Sequence, residues 1–410
     1  MALNYIWAAF FIIAFAIAII KNVFFHDNTI YETLVSGVFD SAKVGFEISL
    51  ALTGIMTLFL GILKIGEEAG AIRFIARIIG PFFNKLFPEV PKDHPAHGQM
   101  IMNFSANLLG LDNAATPFGL KAMESLQELN PSKDTASNAQ IMFLVLHTSG
   151  LTLIPISIMT YRAAMGAADP SDVFIPCILG TYVTTVVSMM IVAVKQKINL
   201  FDRTIFSWLG GITLFILFIL WYLSTLDKVE IETFSKVYSN LILLSIIVLF
   251  VAGGLIKKVN VYETFVTGAK EGFTTAVKII PYLVGMLVAI SVFRNSGALE
   301  MVTDGMAWTI GAMGFDTAFV DALPVALMKP LSGSGARGLM IDAMQEYGPD
   351  SFIGRLVCIF QGSADTTFYI VALYFGSVGI TKTRYAIPFG LIADFIGVIA
   401  GIFIAYLFFA

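Results

Sequence analysis

Long apolar runs separated by short polar interruptions fill this chain, and the arrangement comes round twice. Segments 5–20, 46–63, 173–194, 206–224, 239–256, 279–293 and 385–409 are sparsely charged. Each equals or approaches the ~20 helical residues needed to cross a hydrocarbon core. No ten-residue alternation suggests barrel strands, so helices are the elements expected to satisfy the backbone inside a bilayer. Just after one apolar run and before another, residues 31–37 read YETLVSG, and residues 262–268 read YETFVTG. Two weakly similar halves in such a chain predict a secondary transporter, with a site near mid-membrane where the repeats meet.

The repeat extends well beyond that echo. Ile20-Lys21 precedes the first YET as Ile256-Lys257 precedes the second, and Ala69-Gly70-Ala71 pairs with Ser296-Gly297-Ala298. Ala122-Met123 pairs with Ala343-Met344, and the run from His147 to Thr152 pairs with that from Gln361 to Thr366. Ile175-Pro176 then opens the last helix of the first half, as Ile387-Pro388 opens that of the second. The landmarks keep one order, which chance likeness between apolar helices would not. The expected organisation is a first repeat over residues 1–200, a connector over 201–235 carrying the unmatched helix 206–224, and a second repeat over 236–410.

Cationic edges orient the halves, because cytoplasmic loops collect Lys and Arg. Helix 173–194 starts beside Asp169 and Asp172 and ends at Lys195, Lys197 and Arg203, so its exit is expected in the cytoplasm. The equivalent helix 385–409 starts beside Lys382 and Arg384, so its entrance is expected there. Equivalent helices then run in opposite directions, and the connector reverses the second half. Lys257-Lys258 agrees with this arrangement, whereas Lys21 falls on the other side. The N-terminus is expected in the cytoplasm and the C-terminus outside, and no cleavable signal peptide is expected. The fold expectation is therefore an all-α polytopic membrane protein: two inverted-topology repeats with re-entrant hairpins and discontinuous helices, joined by one connector helix.

Polar interruptions at matching places mark the candidate chemistry. Residues 103–119 mix Asn, Asp, Ser, Thr, Gly and Pro into apolar sequence, and residues 328–338 are rich in Gly and Ser between Lys329 and Arg337. Broken segments at corresponding positions of two halves point to a binding site, since unwound backbone and half-helix ends can hold a solute. A second matched pair, 147–152 and 361–367, reads as two discontinuous helices. Asn103, Asn107, Asp112, Asn113 and Thr116 are expected to face Lys329, Ser332, Ser334 and Arg337 across a polar cavity. His147, Ser149, Thr152, Gln361, Ser363, Asp365 and Thr366 are expected to line the crossing helices. The two cations favour an anionic or phosphate-bearing solute. Asp112 or Asp365 could bind Na⁺ or H⁺ for coupling, with His147 as a proton carrier because imidazole ordinarily titrates at about 6.5. Charge inside a span costs at least ~2.5–3.5 kcal/mol on insertion scales, so each such residue needs water or a partner.

Composition changes this picture little. Apolar residues make up 57% and charged residues 13% of the chain, and the mean hydropathy is +0.82. Soluble domains carry roughly 25% charged residues, so the bilayer is the expected surrounding. The net charge of −4 gives no reason to expect nucleic acid. Cys177 and Cys358 sit in separate apolar runs and read as buried thiols. His94 and His97 with Asp93 in PKDHPAHG lack the further ligands of a zinc site. Ser149 lacks the G-x-S-x-G surround of a hydrolase nucleophile, and Ser332 to Gly335 lacks the Lys-Ser/Thr ending of a P-loop. An enzyme is not expected. The two YET segments, 31–44 and 262–275, read as helices lying along the membrane faces, with Glu32 and Glu263 at the surface.

The run NFSANLLGLDNAATPFGLKAM at 103–123 resembles the spore maturation protein A family. MKPLSGSGARGLMIDAM at 328–344 and IFQGSADTTFYIVALYFGSVGI at 359–380 resemble the spore maturation protein B family. Both belong to a superfamily of nucleoside recognition, or Gate, domains that also includes concentrative nucleoside transporters. The resemblance covers nearly the whole chain and looks like a fusion of the two families. It implies a bacterial inner-membrane, transport-like protein; with the broken segments and the inverted repeat, the expectation is one that moves a small polar, anionic or nucleoside-like solute by alternating access. The alternative is a non-transporting scaffold or solute sensor of envelope or spore maturation. The expected partners are a small-molecule solute and the lipid bilayer, a homo-oligomer is compatible with both readings, and no resident cofactor or metal is expected.

Overall fold

A computed structural model describes residues 2–223 and 225–410, with the side chains of residues 2, 3, 112–114, 228 and 232 outside the description. Helices dominate it. Among the described residues the only extended pairing is a bridge between Thr135 and Lys382. Among the described residues, eight helical stretches are long and apolar enough to cross a membrane. The chain is an all-α polytopic membrane protein.

The elements follow one another in an order that recurs. The first series is α1 (Ala2–Phe25), α2 (Ile30–Glu68), α3 (Ala71–Leu86), the hairpin α4 (Pro95–Leu108) and α5 (Asp112–Leu129), the interrupted pair α6 (Asn138–Thr148) and α7 (Ile156–Ala164), and α8 (Phe174–Lys195). A separate helix, α9 (Arg203–Leu223), follows. The second series is α10 (Lys228–Ile256), α11 (Val261–Asn295), α12 (Ala298–Ala312), the short hairpin α13 (Leu323–Met328) and α14 (Gly333–Tyr347), the interrupted pair α15 (Phe352–Gly362) and α16 (Thr367–Ser377), and α17 (Ala386–Phe409). A 3-10 turn, Val320–Ala322, leads into α13. Gly70 and Gly297 stand at matching places, at the starts of α3 and α12, with φ of 90° and 85°. A side chain at either position would be strained, which is why glycine marks both landmarks.

The YET segments depart from the expectation. They do not form separate helices along the membrane faces; each is the opening of a long helix. The 39 residues of α2 extend ~58 Å at 1.5 Å per residue, about twice the hydrocarbon thickness. The 35 residues of α11 extend ~52 Å. Between the polar opening of α2 and its apolar run there is no helix-breaking pair. Lys43 and Glu47 sit one turn apart at 3.9 Å, and the hydroxyls of Ser49, Thr53 and Thr57 bond back to carbonyls four residues earlier. Before α2, Asp27 accepts from the Thr29 hydroxyl at 2.7 Å and the Thr29 amide at 3.0 Å, which holds its carboxyl below the usual range. Glu32 and Glu263 are exposed, as expected.

The chain gathers into two compact units. One comprises Met1–Leu60, Ser157–Pro170 and Ala269–Gln361. Its Arg162 is fully buried, donating to the Pro349 carbonyl, to the Asp169 carbonyl at 3.2 Å and to Asp350 Oδ1 at 2.9 Å. Arg294 is paired with Asp342 in the same unit. Cys358 is buried there beside Met344, as an apolar setting implies.

The other unit comprises Gly61–Ile156, Ser171–Gly268 and Gly362–Ala410. The α4–α5 hairpin packs on α3 and α6, and α8 packs along α17. Phe83 stacks on Phe87 at 5.6 Å and meets Phe104 at 5.0 Å, anchoring α3 to α4. Ser137 and Gln140 form a reciprocal cap at the start of α6. The loops before α6 and α17 are laced together: the amides of Thr381 and Lys382 donate to the Asp134 carbonyl, and Ala136 N donates back to the Lys382 carbonyl. Lys382 also pairs with Asp134 at 2.7 Å, and that contact holds the exposed Asp134 carboxyl below its ordinary range. Cys177 is a buried free thiol of this unit.

Arg162→Ala should destabilise the purified protein by about 1–3 kcal/mol, because it strands buried carbonyls and a carboxylate that share one guanidinium. Lys382→Ala removes an exposed pair and should change stability by no more than ~1 kcal/mol. Thermal unfolding in detergent, followed by intrinsic fluorescence, distinguishes the two; equal effects would contradict the assigned burial.

Candidate functional site

Two interrupted helices meet inside the second unit. α6 ends at Thr148, and residues 149–155 run irregularly before α7; α15 ends at Gly362, and residues 363–366 precede α16. The Asp365 amide donates to the Thr148 carbonyl at 2.8 Å, so one break supplies a partner for the other. Gly150, with φ of 57°, lies where a Cβ would stand 3.2 Å from that same amide. The Leu153 amide donates to the Leu108 carbonyl at 2.8 Å, tying the first break to the end of α4. Helix ends leave unsatisfied groups, and in a bilayer only protein or trapped water can take them.

A buried polar cluster forms around this junction. Asn107 Nδ2 lies 2.8 Å from His147 Nδ1, and Asn103 Oδ1 lies 3.2 Å from the same nitrogen. Asn103 Nδ2 donates to the Ala115 carbonyl at 2.7 Å and to the Tyr374 hydroxyl at 3.3 Å. That hydroxyl is 3.4 Å from both ring nitrogens of His147, and the Tyr374 ring stacks on Phe143 at 5.8 Å. With the ring proton on Nε2 the imidazole accepts from Asn107, and with it on Nδ1 the ring donates to Asn103 Oδ1, so each tautomer has a partner. Nε2 lies 4.0 Å from Asp365 Oδ2. His147 is 6% exposed and the Asp365 side chain 49% exposed, so an interior of amide, imidazole and phenol opens toward one accessible carboxylate.

The other residues singled out in the sequence take varied places. In the second unit Ser149 is fully buried and donates to the Leu146 carbonyl at 2.8 Å, and Thr152 donates to the Gly150 carbonyl at 3.0 Å. Ser363 is buried, Thr366 is the residue immediately before α16, and Thr116 is half-buried on α5. The side chains of Asp112 and Asn113 lie outside the described residues. In the first unit Ser332 caps α14 by accepting from the Gly335 amide at 3.1 Å, and its hydroxyl is 3.2 Å from that of Ser334. Lys329 is buried and donates to the Gln361 carbonyl at 2.6 Å, at the negative end of α15. Arg337 lies over the Tyr161 ring at 5.5 Å. Gln361 is also buried.

Two residues of consequence were missed in the sequence. Tyr374 joins the Asn–His cluster from α16, but one aromatic in an apolar run gives no signal before contacts are known. Asp394 is 6% exposed and lies within α17, where its Oδ2 accepts from the Thr367 hydroxyl at 2.7 Å. Its signal was present, since a lone acid inside a 24-residue apolar span costs at least ~2.5–3.5 kcal/mol on insertion scales. Elsewhere, His94 caps α4, and His97 is buried against the Val90 carbonyl. Among the described residues no group of three or more His, Cys, Asp or Glu could hold a metal.

A cavity of about 690 Å³ lies in the second unit beside α3, α8 and α9. Its surface is wholly apolar, with Ile75, Phe82, Met189 and Trp208 in the lining. It suits hydrocarbon and lacks the convergent polar groups that orient a polar solute.

These features define a polytopic helical membrane protein with a polar constellation at joined helix breaks. The chain belongs to the Gate family, described as nucleoside recognition, whose profile matches residues 49–168 and 276–381. It is similar to spore maturation protein B of Bacillus subtilis (strain 168), 50% identical over 174 residues, or 42% of this chain and 96% of that protein. It is also similar to spore maturation protein A of the same organism, 37% identical over 188 residues, or 46% of this chain and 92% of that protein. No solved structure matches.

Gly119 brings α5 against this cluster: a Cβ there would overlap the Tyr374 hydroxyl and stand 2.9 Å from Asn103 Nδ2. Gly119→Ala should therefore destabilise the protein by about 1–3 kcal/mol, as overpacking does. Adding Tyr374→Leu, which removes both the hydroxyl and the ring carbon Cζ that would lie 2.5 Å from the new Cβ, should cost less than the two single losses summed. Thermal unfolding of the single and double variants checks this, and additive losses would refute the contact.

Proposed function

We propose that this chain is a secondary-transporter-like protein of the bacterial inner membrane that binds a small polar, nucleoside-like solute and moves it by alternating access. The observation that carries the reading is the Asn103–Asn107–His147–Tyr374 cluster beside Asp365, where two helix breaks are joined. Amide, imidazole and phenol groups offer both donors and acceptors to an uncharged polar ligand. Irregular backbone at membrane depth characterises transporter sites. The Gate family's description, nucleoside recognition, supports the solute class. The Lys and Arg edges support a cytoplasmic N-terminus and an external C-terminus. Lys329 shares its charge with the Gln361 carbonyl. The two relatives, each matched over most of its own length, support a fusion of two ancestral proteins.

The relatives' names favour a second reading, a solute-sensing scaffold of spore maturation. Purified protein should be screened by thermal shift against nucleosides, nucleotides and dicarboxylates, and radiolabelled forms of the stabilising compound offered to proteoliposomes. The transport reading expects a nucleoside to stabilise the protein and enter the vesicles, with at least a tenfold loss of uptake in Asn103→Ala and Asp365→Asn. Binding without uptake would select the sensor. Stabilisation and uptake unchanged in both variants would remove the cluster from solute handling.

A further inference from the structure

α3 carries a charge pattern that the Asn–His cluster does not use. At 16 residues, or ~24 Å, it is not one of the eight stretches able to cross a bilayer, and it holds three cations and no acid. Lys85 is paired with Asp202 at 2.9 Å. Arg73 and Arg77, one turn apart, are exposed. On the same outer side Phe74 is 65% exposed and Ile78 43% exposed, while Ile72, Ile79, Phe83 and Leu86 are buried on the inner side. A short helix that shows arginines and uncovered apolar side chains together suits the membrane–water interface. The equivalent helix α12 has Glu300 and Asp304 and no cation, so the repeat does not impose this charge.

The same helix borders the apolar cavity of about 690 Å³, through Ile75, Ile78 and Phe82. Ile78 belongs both to the lining and to the exposed side of α3, as Phe215 does on α9 and Tyr238 on α10. The lining therefore continues onto the outer surface of these helices, where hydrocarbon surrounds them. Polar residues in it are already engaged: the Tyr182 hydroxyl lies 2.7 Å from that of Thr213, and Thr185 donates to the Ser149 carbonyl at 3.3 Å. We propose that α3 and this cavity bind one anionic phospholipid, with its phosphate on Arg73 and Arg77 and an acyl chain in the cavity beyond Ile78. The cation at 77 and the cavity rim at 78 are consecutive residues, which puts both halves of a phospholipid's chemistry at one place. Guanidinium pairs with phosphate through two parallel N–H bonds, and a cavity with no free polar group leaves the headgroup outside with the arginines. A zwitterionic lipid offers the chain but brings a competing cation, and free phosphate offers no chain.

Lipid binding here needs no solute at the Asn–His cluster, so its test is independent of the transport reading. The delipidated full chain in detergent should be titrated with phosphatidylglycerol, phosphatidylcholine and glycerol phosphate, and bound molecules counted by native mass spectrometry. The expected result is one saturable phosphatidylglycerol, with phosphatidylcholine weaker by roughly fivefold or more, the order that one exposed cation contributes at an anionic surface, and no binding of glycerol phosphate. Arg73→Gln with Arg77→Gln should erase the preference between the two lipids, and both positions are exposed, so the fold is kept. Ile78→Trp, at the cavity rim, should weaken both lipids with every charge in place. A charge-matched control, Lys257→Gln with Lys258→Gln, should bind as the parent does. Equal affinity for the two lipids in the parent chain would overturn the proposal, as would binding of glycerol phosphate or undiminished lipid binding in Ile78→Trp. An equal loss of preference in the Lys257 and Lys258 variant would mark general charge attraction and overturn it too.

Discussion

The hydrogen bond from the Asp365 amide to the Thr148 carbonyl governs how this protein can hold polar groups in a bilayer. A helix that stops inside hydrocarbon exposes amides and carbonyls that lipid cannot satisfy, each at a cost of several kcal/mol. Here two interrupted helices are placed so that one break serves the other. The Leu153 amide extends the same solution to the end of α4. Gly150 is required where the two irregular backbones come closest, both for its left-handed conformation and for its missing Cβ. Moving either break along its helix would leave both unsatisfied, so their positions are fixed together.

That joint also places side chains. His147 belongs to the last turn of α6 and Asp365 to the break before α16, so bonding the backbones sets imidazole and carboxylate 4.0 Å apart. Asn103 and Asn107, four residues apart, present amides from one face of α4 toward the ring. Asn103 also reaches the Ala115 carbonyl on α5, which fixes its rotamer independently of any solute. The cluster is therefore organised by contacts within the protein, the condition under which a site can bind without first ordering its own side chains.

Much of the fold was legible because its signals are local. Gly70 and Gly297, the polar interruptions and the matched Ile-Pro pairs each reflect a backbone requirement that a few residues express. The long helices were less legible. Polar openings at 31–44 and 262–275 resemble surface helices by composition, yet helix continuity depends on the absence of a breaker, and apolar and polar turns share one backbone conformation. The site was legible in part for the same reason. Asn103, Asn107 and His147 stand out as polar residues in apolar runs, whereas Tyr374 matters only through distant contacts. Lys329 shows the opposite difficulty: its charge was evident, but its direction toward the Gln361 carbonyl is a property of tertiary packing.

Asp394 and Asp365 show how differently one unit can house two acids. Asp365 is about half exposed, so water can stabilise its charge, and its Oδ2 lies 4.0 Å from His147 Nε2. Asp394 is 6% exposed, and its Oδ2 accepts from the Thr367 hydroxyl at the start of α16. Burial makes the ionised form of such a group costly and makes any positive charge close to it correspondingly favourable. The residues that crowd Asp394 are also those of the second break. Thr367, which bonds Asp394, stands at the first turn of α16, while Tyr374 two turns later carries the same helix into the Asn–His cluster. α16 is thus one half-helix that ties the buried acid of α17 to the Asn–His cluster, so neither can shift along the helix axis without the other.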